Sequence, residues 1–159
     1  MTLEGIIQLV ENSIAALNVD VAACRGEKKG QWSLKIKDST VWIDAFNFPS
    51  NPDKYYFQVM SPLCAVTDKN KEDFFQDLLE INYALYGCSI CKKDSWMYVL
   101  VLREAEGLDQ SEVDASIDRV GVYSSDYYSK LSFKYKDSWL PKPPPVKIQG
   151  IPPGSVQWN

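Results

Sequence analysis

The chain has 159 residues, 45% of them hydrophobic and 13% aromatic, which is enough apolar material for one core and suggests a single domain. A formal charge of −4, with the lysines scattered or mixed with acids, removes the attraction on which most nucleic-acid binding depends. No apolar run is long enough to cross a bilayer, and the N-terminus lacks a basic region followed by a long apolar block, so a cytoplasmic protein without a membrane partner is expected.

Thr2 is placed to cap a first helix over 3–17, where Leu3, Ile6, Ile7, Val10, Ile14 and Leu17 recur at helical spacing. The polar, glycine-bracketed stretch 25–31 reads as a loop with solvated lysines. A strand follows over 31–37, with Trp32, Leu34 and Ile36 alternating against Gln31, Ser33, Lys35 and Lys37. Asp38 and Ser39 make a turn. The run 40–48 then sets Val41, Ile43 and Ala45 on one face and Trp42 and Phe46 on the other. After a turn over 49–53, a third strand over 55–60 sets Tyr55, Phe57 and Val59 against Tyr56 and Met60, and Pro62, which has no N–H, should end regular pairing.

Residues 70–87 form the organising helix, capped by the Asn70 side chain, with Glu72 and Asp73 at its positive end and Gly87 as its stop. Its broad inner face carries Phe74, Phe75, Leu78, Leu79, Asn82, Leu85 and Tyr86. Strands over 88–92 and 95–103 form a hairpin around Lys93 and Asp94, the second with Trp96, Tyr98, Leu100 and Leu102 opposite Met97, Val99 and Val101. A third helix opens at Asp109, where Asp109-x-x-Glu112 reads as a capping box and Leu108 with Val113 as a hydrophobic staple. From Trp139 the composition shifts to prolines and aliphatic residues with only Lys142 and Lys147 charged, an extended segment suited to docking on its own domain or on a partner.

The expected fold class is α+β: two layers, a five-stranded antiparallel sheet and three helices in the order α-β-β-β-α-β-β-α, over residues 1–137, followed by a proline-rich apolar tail over 138–159. Helices in one layer cover only one face of a sheet, yet three strands are apolar on both. Either helices cover both faces and the second is core, or it needs another cover: another copy of the chain, a client protein, or the tail.

No catalytic constellation is present. Without histidine, neither a Ser-His nor a Cys-His pair can be built, and no glycine-rich loop precedes a helix. Asp73 with Asp77, and Asp114 with Asp118, fall on polar helical stripes and read as solvated surface. Cys88 and Cys91 follow a helix instead of opening one, where the dipole would lower a thiol pKa, so no metal, cofactor or redox role is assigned to the four cysteines. Trp42, Tyr55, Tyr56 and Phe57 could stack bases, but no positive groove accompanies them.

The strand KYYFQVMSPL, the helix DFFQDLLEINYALYG running into a hairpin, and GLDQSEVDASIDRVGVYSSDYYSKL with its paired Tyr127 and Tyr128 resemble the YbjN family over about residues 3–135. That family is similar in fold to the small acidic chaperones of type III secretion. The resemblance implies a non-enzymatic, often dimeric module that holds a client polypeptide on an apolar sheet face or strand edge. The candidate partner-binding residues are Trp42, Phe46, Tyr56 and Met60 on the sheet, with Trp139, Ile148, Ile151 and Trp158 in the tail. The alternative is a structural subunit tethered to an assembly through that tail.

Overall fold

The computed structural model describes residues 1–66 and 69–139. The elements are α1 (Leu3–Ala16), α2 (Val21–Cys24), β1 (Gln31–Ile36), β2 (Ser39–Phe48), β3 (Asn51–Ala65), α3 (Lys71–Ala84), β4 (Ser89–Lys93), β5 (Trp96–Glu104) and α4 (Gln110–Lys134). This is the expected α+β order with one addition, the single turn α2, which Asp20 caps by accepting from the Ala22 N–H at 2.9 Å. Its four residues carry no amphipathic period that a sequence reading could use.

Local signals explain most of the boundaries. Thr2 Oγ1 accepts from the Gly5 N–H at 3.2 Å, and the Asp109 box is complete: Asp109 Oδ1 accepts from Glu112 N while Glu112 Oε2 accepts from Asp109 N. Leu108 and Val113 are both buried in the core, as a staple requires. Asn70 behaves differently. It sits in the left-handed region at φ 58° and makes no side-chain cap; its carbonyl instead accepts from Phe74 N, and α3 ends at Ala84 with Leu85 already extended. The hairpin turns are also one residue earlier or later than expected. Ile36 pairs with Ser39 and Lys93 with Trp96, so the two-residue turns are Lys37-Asp38 and Asp94-Ser95, with Lys37 and Asp94 both at φ 51°.

The five strands are all antiparallel, in the order β1-β2-β3-β5-β4. β3 is longer than its sequence suggests. It starts at Asn51, directly after a Pro49-Ser50 turn, and runs through Pro62 to Ala65. Pro62 is tolerated because the β2 ladder has ended at Trp42 with Met60, while the β5 ladder continues past it through a register shift between Pro62 and Cys64.

α1, α3 and α4 share one side of the sheet. Trp32, Leu34, Val41, Ile43, Phe57, Val59, Leu63, Val99 and Val101 meet Ile6, Val10, Ile14, Phe74, Leu78, Val113, Ile117 and Val120 in one buried cluster. α4 lies closest to the sheet because Gly121 lets it: a Cβ there would come within 2.6 Å of the Ile36 side chain. Ser124 Oγ then accepts from Ser61 Oγ at 2.8 Å in the same buried seam. Two of the four carboxylates expected on solvated stripes, Asp77 and Asp114, instead tie helices together, while Asp73 and Asp118 are exposed. Asp114 accepts from Ser13 of α1 at 2.5 Å, and Asp77 of α3 accepts from the Tyr135 hydroxyl at 2.5 Å and pairs with Lys134 at 2.5 Å. Burial pushes the Asp77 carboxyl up, but Lys134 and Tyr135 outweigh it and hold it below the usual carboxylate range.

Candidate protein-binding surface

Strand alternation sends every second side chain away from that core. Across the sheet these residues stand in rows: Phe46 and Tyr56; Gln31, Asp44, Gln58 and Leu102; Trp42, Met60 and Leu100; then Tyr98 and Cys91. None of them belongs to the helix-side core, and among the described residues no helix lies over them. The face is strongly aromatic. Phe46, Phe48 and Tyr56 form one group, with ring centroids 4.6 to 6.0 Å apart, and Trp42 and Tyr98 form another at 6.3 Å.

The sequence-expected sheet residues Trp42, Phe46, Tyr56 and Met60 are thus brought together on one face. The three aromatic side chains are half-buried, whereas Met60 is only 4% exposed. Phe48, Tyr98, Leu100 and Leu102 complete the surface, and Leu102 is 46% exposed. The four aromatics considered as a stacking platform separate: Tyr55 and Phe57 turn to the core side, Trp42 and Tyr56 to the open side. Trp139 rests edge-on against Tyr128 of α4 at 5.4 Å, on the helix side, with Ser138 N donating to Tyr135 O just before it. Ile148, Ile151 and Trp158 lie outside the described residues.

A polar row crosses this apolar face. Asp44 is 6% exposed and accepts from Gln31 Nε2 at 2.9 Å; burial pushes its carboxyl up to about 6, opposed by that one hydrogen bond. Two buried polar atoms on the same face, Gln31 Oε1 and the Trp42 indole nitrogen, have no hydrogen-bond partner among the described residues. Burial likewise pushes the Cys91 thiol up to about 11, so it is a neutral part of the surface and no nucleophile at neutral pH. Cys88, its partner in the C-x-x-C pair, packs against the core instead.

The sheet edges are less open than the face. Asn82, which sits within the apolar stripe of α3, turns its amide to edge strand β4: it donates to Ile90 O at 3.1 Å and accepts from Ile90 N at 2.6 Å. A side chain thus occupies the hydrogen bonds that an added strand would use there. At the opposite edge, β1 is partly matched by a bridge between Arg25 and Trp32. The loop over 25–31 is held to α1 by two ion pairs, Arg25 with Glu11 at 2.8 Å and Lys29 with Glu4 at 2.6 Å, so Lys29, expected to be solvated, is engaged.

A second apolar surface was not apparent from the sequence. Leu79 and Tyr83 are 72 and 97% exposed on the outer side of α3, and Tyr86, just past the helix end at Ala84, is 70% exposed, although Leu79 and Tyr86 fall within the predicted inner stripe. The four-residue spacing of Leu79 and Tyr83 sets them one above the other on the helix, and it is the one signal that could have revealed a second face. Arg119 stacks on the Tyr86 ring at 4.6 Å.

Solved structures share this architecture. A chain of the ExsC-ExsE complex superposes with TM-score 0.59 at 10% identity, covering 79% of this chain and 92% of that one. A chain of the HopA1-SchA chaperone-effector complex gives 0.57 at 8% identity, covering 78% and 93%. A chain of the complex between the Yersinia pestis type III secretion chaperone SycH and a stable fragment of YscM2 gives 0.53 at 15% identity, covering 79% and 98%. The fold is that of the type III secretion chaperones. No protein-family model and no curated protein sequence matches the chain. Among the described residues no helix is long and apolar enough to cross a membrane.

Proposed function

We propose that this protein is a non-enzymatic, chaperone-like module that binds a segment of a client polypeptide across the open face of its sheet. The single observation that carries this reading is the aromatic surface of Trp42, Phe46, Phe48, Tyr56 and Tyr98, which stands outside the core and has no helix over it among the described residues. Apolar surface of that extent is favourable to cover, and the buried polar row gives a bound chain directional contacts. The fold likeness supports the same class of activity, because the structures it matches include proteins described as chaperones in complex with an effector or a fragment of another protein. Binding over the face is favoured over addition to a strand edge, since Asn82 already occupies the middle of the β4 edge.

The exposed pair Leu79 and Tyr83, with Tyr86 just beyond the helix, suits self-association, so the working form in this reading is a homodimer joined through α3, in the cytoplasm. The relation to the YbjN family rests on the motifs that carry the resemblance. The test is affinity co-purification from the native host with the intact chain and with a Tyr56→Glu, Leu102→Glu variant, together with thermal melts of both. Loss of a stoichiometric partner at unchanged Tm is the expected result. A partner retained by the folded variant would remove this face from the binding surface.

A further inference from the structure

We infer that the polar row on the open sheet face, Gln31, Asp44 and Gln58, is a subsite for an arginine side chain, so that the client segment is an apolar one carrying an arginine. This rests on the reading of that face as a client surface and names what the surface selects.

The row is built but incomplete. Its three side chains stand abreast on β1, β2 and β3 through the pairs Gln31 with Asp44 and Asp44 with Gln58, so about 10 Å separates the outer two strands. A single hydrogen bond joins them, donated by Gln31 Nε2 to Asp44 Oδ1 at 2.9 Å. Gln58 is 9% exposed, yet its side chain has no hydrogen-bond partner, and Gln31 Oε1 is buried without a donor. The second oxygen of Asp44 has no donor either. Buried polar groups are ordinarily satisfied, so three unmet side chains in one row point to a group that arrives from outside.

The missing group is a cation. Asp44 is the one charge in the row, and the cations of the neighbouring strands stand apart from it. Lys35 of β1 pairs with Thr40, four residues along the strand and ~14 Å away. Lys54 of β3 is engaged by Glu104 at 3.2 Å, and Arg103 of β5 turns to Glu112 on the helix side. Burial disfavours the ionised carboxyl and the Gln31 bond alone opposes that effect, whereas an asparagine would fill the same space without a charge. An acid that works against folding in this way breaks a local rule, as residues at functional sites do.

Arginine fits the vacancy better than the other donors of a polypeptide. A main-chain N–H leaves the buried charge uncompensated, and a lysine ammonium is a strongly hydrated point charge. A guanidinium presents its N–H donors in one plane and serves Asp44 and a glutamine oxygen together. The walls suit it as well. Trp42 and Phe46 flank Asp44 on β2, each ~7 Å along the strand, and Tyr56 stacks with Phe46 at 6.0 Å. Aromatic faces attract the cation and cover its aliphatic stem, while Met60 and Leu102 in and beside the row receive apolar neighbours in the client.

A phage-displayed library of random heptapeptides, panned on the intact chain at neutral pH, tests this. Peptides with an arginine among aliphatic residues should be enriched on the unaltered chain and not on Asp44→Asn, which keeps the shape of the row. Arginine enrichment equal on both chains would reflect only the net charge of −4 and would overturn the subsite, as would lysine enriched equally with arginine. For a selected peptide, exchanging arginine for citrulline removes the charge at nearly constant shape. Binding to the unaltered chain should weaken about thirtyfold, and binding to Asp44→Asn by less than about twofold. Equal losses on the two chains would refute the pairing. Peptides whose capture needs Tyr56 and Leu102 but is indifferent to Asp44 would remove the subsite and leave the client surface standing. A library that selects nothing, as when a second copy or the chain's own tail fills the face, would remove both.

Discussion

Asp44→Asn tests whether the polar row on the open face is as dry as its geometry requires. The carboxyl is 6% exposed, has a single hydrogen-bond donor in Gln31, and titrates at about 6 in place of 3.8. Because the folded value lies above the unfolded one, its contribution is fully present below pH ~4 and is lost as pH rises towards ~6. At about 1.4 kcal/mol per pH unit, the ionised carboxylate costs the fold about 3 kcal/mol at neutral pH. Asparagine keeps the acceptor for Gln31 Nε2 and supplies a donor beside Gln31 Oε1, which has none among the described residues. Unfolding at pH 7 and pH 4, followed by circular dichroism, reads the difference. The variant should be more stable by about 2–3 kcal/mol at pH 7, or roughly 10 °C in Tm, and nearly equal to the unaltered protein at pH 4. An advantage independent of pH, or none at pH 7, would refute the burial argument.

Other substitutions probe the scaffold. Asn82→Ala leaves the Ile90 N–H and carbonyl without their side-chain partner, and chemical denaturation should show a loss of about 1–3 kcal/mol with more aggregation on heating as the β4 edge opens. Gly121→Ala forces a Cβ to within 2.6 Å of Ile36, so α4 must lift from β1; a cost of about 1–3 kcal/mol is expected in the same assay. Leu79→Glu with Tyr83→Glu should halve the mass seen by light scattering while leaving Tm within a few degrees, since both side chains are largely exposed in the single chain. An unchanged mass would place the self-association surface elsewhere. Asp109→Ala removes one half of the capping box and should cost ~1 kcal/mol, read as a small fall in the midpoint of urea unfolding.

Much of the candidate surface was legible in the strands. Trp42 and Phe46 on one strand and Tyr56 and Met60 on the next fall on one side because alternation permits no other placement once Ile43 and Val59 face the helices. Met60 could be assigned to the face but not to its burial, which depends on what surrounds it. Asp44 gave no signal as a site residue. An acid between Ile43 and Ala45 reads as an ordinary outward residue, and only the neighbours across two ladders, Gln31 and Gln58, make it part of a buried row.

The α3 region shows the converse limit. Phe74, Phe75, Leu78, Leu79, Asn82, Leu85 and Tyr86 share one broad helical face in projection, yet Leu79 faces outward, Asn82 turns to β4, and Leu85 and Tyr86 lie past the helix end at Ala84. Periodicity gives the angular position of a residue about an axis, not what lies at that angle, and the neighbour of α3 is an edge strand that covers only part of the stripe. Asn82 had a place in that stripe for a reason that periodicity cannot express, the open backbone of Ile90.

By itself the sequence determined the element order, the caps at Thr2 and Asp109, the alternation that divides each strand between two faces, and the absence of histidine-based chemistry, since these depend only on residue identity and local spacing. The tertiary structure alone decided that β5 lies between β3 and β4, that all three long helices sit on one side, and that Asn82 closes an edge. Those outcomes depend on which non-local surfaces meet, and a linear pattern records which side chains are apolar without recording what will come to rest against them.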